Sequence, residues 1–369
     1  MANPYGPRIL ELVFQVANVP TLRTHLFEYM PLYSTRAMNL PLPTYVGLAV
    51  FTGVVIWMLV VNYKQIPLWQ HVTAALFLFL ELNERRHLGV SSFVLAALAV
   101  PHLKPLEAVF RQRMVVSVAA LLMSGGILWA KASGAMGVGP GLLRTGIDTA
   151  ILPKNAVEYF KVNRPPDNLF NSYGPGGYLL YFLGPETKVF MDGRFFVFDI
   201  SVWDDLLAIE DGRMTIDAAC EKYGFQTFFI YIKEDLANPN HLANRLTVHP
   251  EFRLMYFDDA YAVFVRDAPA TRDYLAEREF RHLSPFAANR ALNALGDLST
   301  RAEVLREVER TMRISQESGT AIALAVYVHR HVGDTPRARE LLDRGLELHP
   351  RNRVLQRMHA ELTPQKKGN

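Results

Sequence analysis

The spacing of apolar residues changes character three times along the chain. Residues 43–62 form an uncharged apolar run long enough to span a bilayer. Runs at 68–82 and 90–103 are shorter and are separated by Asn83-Glu84-Arg85-Arg86-His87, which predicts a helical hairpin. A further run, 114–130, lies between Arg113 and Lys131. The pattern therefore predicts about four transmembrane helices within 43–131, preceded by a segment 1–42 that mixes apolar runs with charges. Residues 132–150 carry Gly134, Gly137, Gly139 and Gly141. A membrane helix rather than a strand precedes them, so they read as a flexible linker and not as a phosphate loop.

From 151 to 268 the apolar runs shorten and alternate in type. Helices are predicted at 156–163, 178–183, 202–209, 216–223 and 242–248. Strands are predicted at 169–173, 188–191 and 227–232, with a closing hairpin of 252–257 and 261–266 joined by Asp258-Asp259-Ala260. Alternation at βαβ spacing predicts a soluble α/β domain whose sheet is mostly parallel with an antiparallel edge. Residues 269–369 are charged and helical. Within them, 320–350 resembles one tetratricopeptide repeat: Ile322, Ala325 and Val326 fall on a first helix, Gly333-Asp334 makes a turn, and Ala338, Leu342, Gly345 and Pro350 lie on a second helix and at its end. One repeat cannot bury its own face, and residues 301–314 read as part of a degenerate preceding repeat.

Charge narrows the partners. Lys and Arg total 39 against 36 Asp and Glu, a net +3, and this near-balance argues against nucleic acid. A single cysteine, Cys220, allows neither an intrachain disulfide nor a multi-cysteine metal site. No G-x-G-x-x-G, Walker, H-E-x-x-H or nucleophile-elbow pattern is present, so no cofactor, metal or catalytic residue is expected.

The most informative stretch is 171–194, NSYGPGGYLLYFLGPETKVFMDGR. A polar glycine-rich turn leads into a short apolar helix, a Gly184-Pro185 break, an apolar run and then Asp192-Gly193-Arg194. Its residues Asn171, Gly176, Gly177, Tyr178 and Leu179, followed by Lys188, Val189, Phe190, Asp192, Gly193 and Arg194, resemble a pattern in bacterial polytopic membrane proteins related to the C-type glycosyltransferases. Asn3-Pro4-Tyr5-Gly6 with Glu28 resembles the loop before that family's last membrane helices. The resemblance implies that this chain corresponds to the C-terminal part of the family pattern, with the upstream part absent or separately encoded. It further implies a bacterial inner-membrane location. Lys64, Lys104, Arg111 and Arg113 would mark cytoplasmic loops and place residues 132–369 outside the cytoplasm; a single crossing by 68–103 would instead place them in the cytoplasm.

Two groups of residues are candidate sites. Gly176, Gly177, Asp192 and Arg194 form one corner for an anionic or sugar-like ligand. In the structural alternative the glycines allow close helix packing, Asp192 accepts backbone N–H bonds, Gly193 is left-handed and Arg194 pairs with a carboxylate. Glu81, Glu84, Arg85 and Arg86 form a polar cluster between apolar runs, the alternative being a short turn with an i,i+4 Glu81–Arg85 pair. The expected function is an accessory or scaffold protein of the cell envelope, bound to the lipid bilayer. It would hold a membrane-protein partner or a glycan through its α/β domain and tail. The alternative is a fragment or subunit of a membrane glycosyltransferase using a lipid-linked sugar.

Overall fold

The computed structural model describes residues 29–32, 42–102, 152–194, 198–233 and 238–362. The chain divides into two compact units, Met1–Gly146 and Ile147–Asn369.

In the first unit, α1 (Leu42–Val61), α2 (Leu68–Asn83) and α3 (Leu88–Ala99) surround a small core of Val55, Ala74 and Leu95, with Phe51, Leu59 and Phe77 packed against it. The hairpin of α2 and α3 forms as its spacing predicts, turning through a short 3-10 segment at Arg85–His87. Residues 30 and 32 are tied to that turn: the Leu32 N–H donates to the Leu82 carbonyl at 3.1 Å and the Arg85 N–H to the Met30 carbonyl at 3.2 Å. Outside the core, Val50, Val54, Trp57, Phe79 and Phe93 are exposed.

Among the described residues no helix is long and apolar enough to cross a membrane. This overturns the expected transmembrane region and the inner-membrane location. At about 1.5 Å per residue, α2 with 16 residues and α3 with 12 fall short of a hydrocarbon core roughly 30 Å thick. The run at 114–130, the linker at 132–150 and the segment before residue 29 lie outside the described residues.

The second unit is built on a four-stranded sheet. Its strands are β1 (Leu169–Asn171), β2 (Thr227–Tyr231), β3 (Phe252–Phe257) and β4 (Tyr261–Arg266), in the order β1-β2-β4-β3. Only β1 and β2 run parallel; β4 is antiparallel to both its neighbours. The mostly parallel sheet expected from the alternation is thus corrected to a mixed, mostly antiparallel one, for two reasons. The hairpin supplies two of the four strands: β4 docks beside β2, pairing Phe228 with Phe264 and Phe229 with Val263, and β3 is the outer strand. And residues 188–191 form no strand. The side chain of Asn171, fully buried at the end of β1, supplies their ladder partner instead. Its Oδ1 accepts the Phe190 N–H at 2.8 Å and its Nδ2 donates to the Met191 carbonyl at 2.8 Å.

Helices α4 (Lys154–Asn163), α5 (Gly176–Leu183), α6 (Ile200–Glu210), α7 (Ile216–Tyr223) and α8 (Leu242–Val248) belong to this region. Tyr159, Phe160 and Leu179 from α4 and α5 meet Phe229, Tyr256 and Val263 of the strands in one core. After α9 (Arg272–Arg278) the tail is helical: α10 (Ala288–Leu295), α11 (Leu298–Ile314), α12 (Gly319–His331), α13 (Thr335–Leu348) and α14 (Arg353–Leu362). The hairpin of α12 and α13 turns at Gly333, φ +85°, a conformation that favours glycine. A Cβ at Gly345 would stand 2.8 Å from Ile322 Cγ2, so a small residue is needed where the two helices meet.

Candidate functional site

The corner read from the sequence is assembled in one place, and its groups largely satisfy one another. The chain leaves β1, with the Ser172 N–H on the Phe229 carbonyl and the Ser172 hydroxyl accepting the Tyr231 N–H at 3.2 Å. It then enters α5 at Gly176. A Cβ there would lie 2.0 Å from the Met191 carbonyl oxygen and 2.8 Å from Asp192 Cα. Gly176 is therefore required for the start of α5 to press on the returning strand-like segment, which is the structural alternative. Gly177 is exposed, with nothing within 4 Å of where its Cβ would be.

Asp192 is 1% exposed. Its Oδ1 accepts the Arg194 backbone N–H at 2.8 Å and Arg194 Nε at 3.0 Å; its Oδ2 takes Arg194 Nη2 at 2.6 Å. The guanidinium hydrogen bonds hold the Asp192 carboxyl below the usual carboxylate range despite its burial. The Asp-Gly-Arg triplet is thus a self-closed turn whose carboxylate is fully used, while the Arg194 side chain is 60% exposed as a rim cation. Gly193 is not among the glycines with positive φ; the turn closes without the left-handed residue expected there.

The second cluster behaves differently. The expected i,i+4 pair of Glu81 with Arg85 does not form, because α2 ends at Asn83 and Glu84 is extended at φ −146°. Arg85 therefore no longer stands one helical turn above Glu81. Glu84 instead meets Arg86 at 2.8 Å and His87 at 3.2 Å, and the Arg86 guanidinium stacks over Tyr29, 4.3 Å from its ring centre. Glu81 is 2% exposed and its Oε2 has no hydrogen-bond partner. Burial pushes its carboxyl above the ordinary 4.5.

Several polar interactions of the second unit were not legible in the sequence. Asp258, in the β3–β4 turn, accepts the Ala260 and Tyr261 N–H groups and the Tyr256 hydroxyl at 2.7 Å. Its neighbour Asp259 reaches across to the start of α12, accepting the Ser318 hydroxyl at 3.0 Å and the Gly319 and Thr320 N–H groups at 2.9 and 2.7 Å. It acts as an N-cap supplied by another part of the chain. Buried Glu307 on α11 accepts the backbone N–H groups of Arg281, His282 and Leu283 at 2.8, 3.0 and 2.6 Å. Arg310, one turn on, donates to the Glu277 and Glu279 carbonyls and stacks 4.1 Å from the Phe280 ring centre.

A groove of about 310 Å³ beside β3 is lined by His249, Phe252, Arg253, Phe280, Arg281 and Arg290, among others. Its cations are occupied: Arg253 pairs with Asp267 at 2.9 Å, Arg281 with Glu279, and Arg290 donates to the Thr247 carbonyl at 2.8 Å. Cys220 is buried, and burial pushes its thiol up to about 11, so it is a poor nucleophile. Among the described residues no group of three or more His, Cys, Asp or Glu is placed to hold a metal ion. No protein-family model, curated protein or solved structure matches the chain.

Proposed function

We propose that this chain is an accessory or scaffold protein that binds a protein partner through its C-terminal helical tail, the partner contributing an acidic segment. The observation that carries this reading is the exposed surface of α13 and α14. Arg344 and Leu348 stand one turn apart on α13. Arg353 and Arg357 stand one turn apart on α14 beside Val354, and all five are exposed. Elsewhere in these helices Arg337 pairs with Glu340 at 2.6 Å, Arg330 of α12 pairs with Glu361 at 2.5 Å, and Arg339 donates to the Leu362 carbonyl at 3.4 Å. Arg344, Arg353 and Arg357 make no salt bridge among the described residues. Cations flanking apolar side chains suit carboxylates on a partner that also covers Val354 and Leu348. The sheet supports this role by fixing the start of α12 through Asp259 of the β3–β4 turn, while Glu307 of α11 ties down residues 281–283. The Asp192 corner supports it in another way, since its carboxylate is consumed in holding its own turn.

The test is binding of a partner captured with the native chain and then purified. The double charge reversal Arg353→Glu, Arg357→Glu should weaken binding at least tenfold, and binding should fall as salt rises. Undiminished binding by the charge-reversed chain would reject the tail as the interface.

A further inference from the structure

We propose that the cleft between α1 and α2 binds a small apolar molecule carrying one cationic amine head, with the head set against Glu81. The cleft has a volume of about 450 Å³, within the range of roughly 300–1,000 Å³ in which small-molecule sites fall. Its walls include Leu48, Gly53, Ile56, Leu78 and Leu82. Among its described lining residues Glu81 is the one carboxyl group, and Glu81 Oε2 is buried without a hydrogen-bond donor. A buried acceptor left unpaired is costly, and the cost is removed by whatever brings a donor to it. An ammonium head brings both N–H donors and the complementary charge, while an alkyl body covers the apolar walls. A carboxylate head would meet like charge, and an alcohol would offer one neutral hydrogen bond.

The arrangement is local to the first unit and independent of the tail. Glu84, Arg86 and His87 at the hairpin turn are engaged with one another; among the described lining residues the other polar side chains are the neutral hydroxyls of Tyr45 and Thr52, so Glu81 is the charged anchoring group. Gly53 gives a direct handle on the cleft: a Cβ there would meet nothing within 4 Å, so a longer side chain enters the space without displacing a neighbour.

The experiment is calorimetric titration of the purified full chain at neutral pH with decylamine, decanol and decanoate, each below its micelle-forming concentration. Decylamine should bind at least tenfold more tightly than decanol, and decanoate more weakly than either. Glu81→Gln should reduce decylamine to the level of decanol. Gly53→Leu should abolish binding of both. Equal binding of amine and alcohol by the native chain, an amine preference that survives Glu81→Gln, or no binding of any of the three would overturn the proposal. If Glu81→Gln fails to fold, the amine-to-alcohol ratio in the native chain and its response to Gly53→Leu still decide.

Discussion

Glu81 and Glu307 are both carboxylates on helices, both shut away from water, and burial raises the pKa of each. They differ in what faces them. Glu307 accepts three consecutive backbone N–H groups from 281–283, whereas Glu81 leaves Oε2 without any donor. The same side chain therefore does opposite work in the two units. In the second it satisfies a loop that could not otherwise be buried; in the first it is an unmet acceptor in an apolar cleft. Burial alone does not distinguish a structural carboxylate from a binding one. The number of donors it has captured does.

Removing the satisfied carboxylate should have the largest effect. Glu307→Ala leaves three buried N–H groups unpaired and should cost about 3 kcal/mol or more, read as a lowered midpoint in urea unfolding of the second unit. Next comes the cap supplied by the hairpin turn. Asp259→Ala frees two N–H groups and a hydroxyl at the start of α12 and should cost about 1–2 kcal/mol, with the loss confined to the tail in amide exchange.

At the Asp-Gly-Arg turn the sign with pH is opposite to that of the buried glutamates. The Asp192 carboxyl is held below its ordinary 3.8. Its contribution is therefore present above that value and disappears as pH falls through the lower, folded-state one. Asp192→Asn should flatten this acid limb in thermal unfolding at stepped pH. Gly193→Val should change stability by less than about 0.5 kcal/mol, because Gly193 is exposed, has no positive φ and has open space beside it.

The effect of Glu81→Gln on stability is also small, within about 1 kcal/mol at neutral pH. The native carboxyl is raised above 4.5. Its favourable contribution is complete below 4.5 and is lost as pH rises through the raised value. The first unit should therefore gain stability on mild acidification, and the glutamine variant should lose that gain.

Much of this was legible in the chain and some was not. The bounds of β3 and β4, of α7 and of α8 follow from local apolar spacing and turn residues, because those elements are bounded by Asp258-Asp259, Gly224 and Pro250. Strand direction was not legible. Alternation of helix and strand fits several strand orders, and insertion of β4 beside β2 is settled by packing of Phe228, Phe229 and Phe264. Residues 188–191 have the composition of a strand, but the Asn171 side chain takes the bonds a neighbouring strand would have made. The closure of Asp192 on Arg194 could be read from their separation of two. The roles of Glu307 and Asp259 could not, since their partners lie more than twenty residues away in sequence.

The most direct test of the contrast is residue-resolved hydrogen exchange on the native chain, Glu307→Gln and Glu81→Gln under one set of conditions. Glu307→Gln should expose the amides of Arg281, His282 and Leu283 and speed exchange along α11, while Glu81→Gln should leave α2 as protected as in the native chain. Equal loss of protection around both positions would contradict the account, as would unchanged protection at 281–283 in Glu307→Gln.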